Sequence, residues 1–191
     1  MATSQLQYHD VANLERLAAL GEQSRGQYAC AAAELLFPTY AAFFPDEAGR
    51  ARSALDLAWA DSSSSLASSE LQEELLGLYI DEDEGEIFST AVAQNAIGAL
   101  VFALRTAQSG NSKDALDAGM QVYELTYFAA GGEYAERDSS KVVQRGLAAL
   151  ELLFETLESQ REHELRALAA DLADRLATEL LNAKSRELFR R

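Results

Sequence analysis

The sequence predicts an all-α fold: one domain, an orthogonal or up-down bundle of about eight helices around a buried central helix at about 84–108. Three observations lead there. Apolar residues recur at helical spacing along almost the whole chain. Only 2 of the 191 residues are proline; alanine and leucine abound, while the strand-favouring valine, isoleucine and threonine are sparse. No Gly/Pro-rich linker and no repeat of fixed period divides the chain, so residues 1–191 read as a single domain, frayed over roughly eight residues at each end.

The elements follow in order. A first helix is expected over about Asp10–Leu20, turning Val11, Leu14, Leu17 and Ala18 inward. A second, about Glu22–Leu36, should stop at Phe37, because Pro38 disfavours helical geometry in the residue before it. Pro38 suits the first turn of a short new helix, which Pro45 closes. Asp46 reads as the N-cap of a helix to Ala60 carrying Ala51, Leu55, Ala58 and Trp59. The Ser62–Ser65 loop can cap a helix over about Leu66–Tyr79. Asp83 and Glu86 have capping-box spacing ahead of the central helix, about Glu84–Gln108, which is apolar nearly all round. Gly110 ends it, and Asn111 caps a helix over Ser112–Ala130. Leu116, Met120, Tyr123 and Tyr127 share one face of that helix, beside the small residues Ala115, Gly119 and Ala129, where another helix can approach closely. Gly131-Gly132 stops it. Ser139 or Asp138 caps a helix with the stripe Val143, Leu147, Leu150, Phe154, Leu157. The last carries Leu165, Leu168, Leu172, Leu176 and Leu180, with supporting charge pairs Glu162–Arg166 and Asp171–Arg175. Only Ser159-Gln160 separates these two, which are also compatible with one continuous helix.

Charge restricts the partners. With 16 Lys+Arg against 31 Asp+Glu, the formal net charge is −15. Neither the phosphate backbone of a nucleic acid nor an anionic membrane surface is an expected partner. The excess is local. Between Arg52 and Arg105 lie 10 carboxylates and no Lys or Arg, whereas residues 141–191 carry 9 of each sign. An acidic lobe is therefore expected on the bundle, read first as solubilising and second as a docking face built on Glu73, Glu74, Asp81, Glu82, Asp83 and Glu84. The most apolar stretch, Ala96–Leu104, falls short of the roughly 20 residues of a membrane span. Together with the absence of a basic n-region and apolar run at the start, this reads as a cytoplasmic protein.

The stretch Tyr28-Ala-Cys-Ala-Ala-Ala-Glu-Leu-Leu-Phe-Pro-Thr-Tyr-Ala-Ala-Phe, followed by Leu55-Asp56-Leu57-Ala58-Trp59, resembles the YjaG-like bacterial family, domain of unknown function 416. The shared features are a helix ending in aromatic-Pro-x-Tyr and a Leu-Asp-Leu-x-Trp segment soon after. In order and spacing the resemblance spans roughly Leu14 to Leu180. It implies an all-helical, cytoplasmic, bacterial protein and carries no catalytic residues with it.

A search for chemistry gives no catalytic constellation, no metal site and no cofactor motif. His9 and His163 lie far apart in sequence, and no Glu-x-x-His occurs, which a di-iron bundle needs. In Asp81–Glu86 the glycine falls at position five rather than six of a calcium loop, leaving a solvated acidic loop as the expectation. There is neither a nucleophile elbow nor a phosphate-binding glycine loop. The single Cys30 reads as a small buried helix residue. Glu70–Glu74 and Glu151–Glu155–Glu158 share helix faces opposite leucine stripes and are expected to face solvent. Phe37, Tyr40, Phe43, Phe44 and Trp59 read as an aromatic corner of the core. The polar residues of the central helix, Gln94, Asn95 and Arg105, are the candidates for something special, with Asn95 expected to bond across to another helix and, with Tyr123, to line any cavity. Three functions are compatible with this, in order: a non-enzymatic helical interaction or self-associating protein, for instance a dimer; an acidic inhibitor of a basic toxin or nuclease; and a small-molecule binder or enzyme with a site assembled from scattered residues.

Overall fold

Helical spacing resolves into eight α-helices and no strand among the residues that the computed structural model describes, 8–60, 65–78, 87–131 and 140–188. They are α1 (Asp10–Ala19), α2 (Glu22–Phe43), α3 (Ala48–Trp59), α4 (Ser65–Leu76), α5 (Ile87–Ser109), α6 (Ser112–Ala130), α7 (Lys141–Glu158) and α8 (Glu162–Leu188). One buried cluster runs through the bundle from Leu17 to Leu180.

The buried helix α5 shares the centre with α2, which packs against α3, α5, α6, α7 and α8. The run Ala29–Ala33 explains this, since its side chains are short, wholly buried and let neighbours approach from several sides. Gly26 contributes at the α5 end, where a Cβ would lie 3.6 Å from the Ala107 backbone. By length and composition, Phe88–Ser109 is long and apolar enough to cross a membrane, more than Ala96–Leu104 alone suggested. Its apolar window is 72% buried in the bundle, and a core helix meets the same measure.

Pro38 does not end α2. The helix runs through it to Phe43, without the expected break at Phe37. An internal proline costs ~3 kcal/mol, because the carbonyl four residues back (here Glu34) loses its donor. Burial of Thr39 and Tyr40 and the part-burial of Phe37 and Phe43 offset that cost. Asp46 is not a cap either. The chain turns helically from Phe44, whose carbonyl accepts from Ala48 N–H, so α3 begins without a side-chain cap.

Caps behave as expected where a turn isolates the helix start. Asn111 Oδ1 accepts from Lys113 N–H at 2.8 Å, after Gly110 has turned the chain at φ +62. For α7 the cap is Ser140, which accepts from Val143 N–H at 3.3 Å, one residue beyond the predicted position. The proposed caps among residues 61–64 and 83–86 lie outside the described residues. Gln160, at φ +56, separates α7 from α8, so the two are not one rod.

The small-residue side of α6 is the site of close approach, as its sequence implied, whereas the first helix buries less than expected. On α6 the small-residue side is the more deeply buried: Ala115, Ala118, Gly119, Val122, Leu125 and Thr126 are buried, while Met120, Tyr123 and Tyr127 are only partly so. At Gly119 a Cβ would stand 2.6 Å from Tyr28 Oη, so this face admits a ring of α2. On α1 only Leu17 is buried, and Val11 is 72% exposed.

Candidate functional site

A buried carboxylate organises the corner where α2, α3 and α8 meet. Glu34, on the alanine-rich face of α2, is 7% exposed. Arg52 grips it with both ends of the guanidinium, Nη1 to Oε1 at 2.6 Å and Nη2 to Oε2 at 3.1 Å. Trp59 Nε1 donates to the same Oε2 at 3.2 Å. Residues 52, 56 and 59 recur at four and three along α3, so one helix face carries all of them. Arg52 also donates to Asp56 Oδ1, through Nη2 at 2.7 Å and Nε at 3.1 Å, and Arg166 of α8 donates to that oxygen from the other side. The Arg52 guanidinium lies over the Phe37 ring at 5.0 Å, and that of Arg166 over Trp59 at 5.7 Å.

The electrostatics are self-consistent. Burial alone would lower the Arg52 guanidinium, but the bonds to Glu34 and Asp56 outweigh it and raise it. Hydrogen bonding from Arg52, opposed by partial burial and reinforced by Arg166, holds Asp56 below the ordinary carboxylate value.

Beside this cluster a groove of about 240 Å³ opens where the start of α2 meets the ends of α3 and α5. Its walls include Glu22, Gln23, Gln27, Cys30, Trp59 and Gln108. Gln27 Oε1 is buried and has no hydrogen-bond partner among the described residues. The indole wall is fixed in place, because its N–H is held by the buried Glu34 carboxylate.

The residues singled out in the sequence are dispersed. Asn95 is buried, but its Nδ2 donates to Ala91 O at 2.8 Å within its own helix rather than across to a neighbour. Its Oδ1 is buried without a partner among the described residues. Gln94 is half-buried and Arg105 exposed, the latter bonded through Nε to Gln72 Oε1 at 3.4 Å. Tyr123 stacks on Tyr8 at 5.1 Å and meets Tyr127 in a tilted contact at 5.5 Å. Neither Asn95 nor Tyr123 lines the groove or the smaller apolar cavity beneath Phe37 and Tyr40. The aromatic corner is present: Tyr40 is buried against Phe44 at 5.1 Å, and Phe43 meets Phe88 at 5.6 Å.

Among the carboxylates, Glu70, Glu73 and Glu74 are exposed on α4, with Arg50 3.9 Å from Glu74. Residues 81–84 lie outside the described residues. Glu151 and Glu158 do not simply face solvent, since Arg16 binds both at 2.8 Å. Asp171–Arg175 pairs as expected at 2.6 Å, but Glu162 accepts from Ser24 and Arg166 turns to Asp56. Cys30 is buried, and no group of three metal-ligating side chains occurs among the described residues.

Glu34 and Arg52 were missed. A lone glutamate inside Ala-Ala-Ala-Glu-Leu-Leu was the available signal, because a charge in a run with no polar face must find a partner. No family model matches the chain, nor does any curated protein or solved structure.

Proposed function

We propose that this chain is a non-enzymatic binding module whose site is the groove between α2, α3 and α5. The observation that carries this reading is the pairing of a concave, amide-lined wall with a tryptophan preset by a buried carboxylate. Fixing a wall before the ligand arrives lowers the ordering cost of binding. The YjaG-like resemblance belongs to the same proposal. It is supported by Phe37, Asp56 and Trp59, residues of its two motifs, which meet around Glu34 and Arg52. Ligand-observed NMR against a panel of cationic, neutral and anionic fragments tests the reading. At least one fragment is expected to bind wild type and lose affinity in Ala58→Leu, which fills the groove floor while melting curves report on the fold. Binding unaffected by that change, or no binding by any fragment, overturns it.

A second reading, docking of a protein partner, is favoured by α4. This helix packs on α5 and presents Glu70, Glu73 and Glu74 around Leu76, which is 46% exposed. A basic partner would be steered there in a salt-dependent way. Neutralising Glu73, Glu74 and residues 81–84 should leave the melting temperature unchanged and abolish capture of such a partner. Association that survives the change, or is insensitive to salt, removes this reading.

A further inference from the structure

Resting on the groove reading, we infer that the ligand is a small primary ammonium compound. Among the described residues, no Lys, Arg or His lines the groove. What lines it instead is the Glu22 carboxylate and the amides of Gln23, Gln27 and Gln108, which accept as well as donate, with Gln108 Oε1 already accepting from Gln72. Glu22 supplies an exposed carboxylate, and Gln27, which lines the groove, has an amide oxygen that is buried and accepts no hydrogen bond among the described residues, so a turn of that amide would present it to a ligand. A buried acceptor left unpaired is destabilising, and a ligand N–H that reaches it relieves that cost. An ammonium brings three such donors. The Trp59 indole lines the groove, and an aromatic ring attracts a cation over its face, where Arg166 already lies 5.7 Å from the centroid. The charge of Arg166 is taken up by Asp56 rather than directed to the groove.

The backbone adds to this. The last turns of α3, at Trp59, and of α5, at Thr106 and Gln108, both meet the groove, and neither has a basic residue in it. Helix C-termini carry partial negative charge and are usually complemented by a cation. The single helix start at the groove, that of α2, has its partial positive charge already answered by Glu22 in the first turn. The groove thus meets two helix ends without a basic residue in the last turn, while Glu22 answers the start of α2. Its volume of about 240 Å³ lies below the ~300–1,000 Å³ of drug-sized pockets, so a compact aliphatic amine fits.

Trp59 is the chain's single tryptophan, so its fluorescence reports on this site alone. The experiment titrates the full chain with 1,4-diaminobutane, 1,4-butanediol and succinate, three probes of matched length and different charge. The diamine is expected to give a saturable change, with the diol at least about tenfold weaker and succinate inert. Gln27→Leu should weaken the diamine about tenfold by removing the acceptor, and Glu22→Gln about threefold. Gln23→Lys, at an exposed wall position that does not threaten the fold, should weaken the diamine at least about tenfold while leaving the melting curve unchanged. Equal binding of diol and diamine overturns the ammonium assignment and leaves the groove reading standing. If succinate binds and the diamine does not, the assignment is likewise overturned. Silence from all three probes, with no fragment bound by NMR, overturns both.

Discussion

Two arginines in this molecule make nearly the same arrangement in different surroundings. Arg16 on α1 is forked between Glu151 and Glu158 of α7 and lies 4.1 Å over the Phe154 ring. Arg52 on α3 is forked between Glu34 and Asp56 and lies 5.0 Å over Phe37. The two arginine side chains are similarly exposed, at 26% and 29%. The carboxylates differ: Glu151 and Glu158 are 40% and 45% exposed, Glu34 only 9%. Water can take over from Arg16 but not from Arg52. The first cluster fastens a peripheral helix; the second is part of the interior and sets the position of Trp59.

The largest expected effect breaks that difference open. Arg52→Ala leaves Glu34 buried with Trp59 as its remaining partner and should cost about 3–5 kcal/mol, whereas Arg16→Ala should cost about 1 kcal/mol. Urea unfolding of the two variants measures both, and equal losses would mean that burial of Glu34 does not govern the energetics. The double variant Glu34→Leu with Arg52→Met sharpens the point. Removing both charges should recover most of the Arg52→Ala loss, because no buried charge is left unpaired. A double variant as unstable as Arg52→Ala would assign the effect to packing instead.

Trp59→Phe keeps the Arg52–Glu34 pair but removes the indole N–H and the second ring packed on the core, so about 1–3 kcal/mol is expected, together with weaker binding in the groove. The smallest effect concerns acid. Asp56 has its folded pKa below the ordinary 3.8, so its contribution is complete above that value and is lost as pH falls through the lower, folded one. Because its side chain is 49% exposed, the loss is small. Stability curves of wild type and Asp56→Asn should run parallel at neutral pH and converge below about pH 4. Curves that stay parallel into strong acid would deny Asp56 this role.

How much could be read beforehand varies along the chain for physical reasons. The bounds of α6 and the stripe on α7 were legible, because local signals (a cap, glycine stops, an unbroken apolar period) agreed with the tertiary outcome. Pro38 misled because its local preference was overruled by burial of the residues beyond it, Thr39 and Tyr40. On α6 the small residues Ala115, Gly119 and Ala129 marked the side of close approach, and that side is buried, whereas the exposure left to Met120, Tyr123 and Tyr127 was not legible. The deeper contact is Tyr28 against Gly119, which needs the absence of a side chain. For the candidate site the signal was fainter still. Trp59 and Asp56 stood out in a familiar-looking segment, but Glu34 was one acid among 31. The groove's amides come from α2 and α5, helices distant in sequence.

The amino-acid sequence by itself determined the helical class, most helix positions and the segregation of negative charge between Arg52 and Arg105, since each depends on residue type and short-range spacing. Only the tertiary structure decided which residues work together. Ion pairs such as Arg166–Asp56 span 110 positions, and the groove exists only where the start of α2 meets the ends of α3 and α5. The physical reason is that a charge's meaning depends on its access to water. Composition counts carboxylates alike, while packing makes Glu34 an interior anchor and leaves Glu73 and Glu74 solvated.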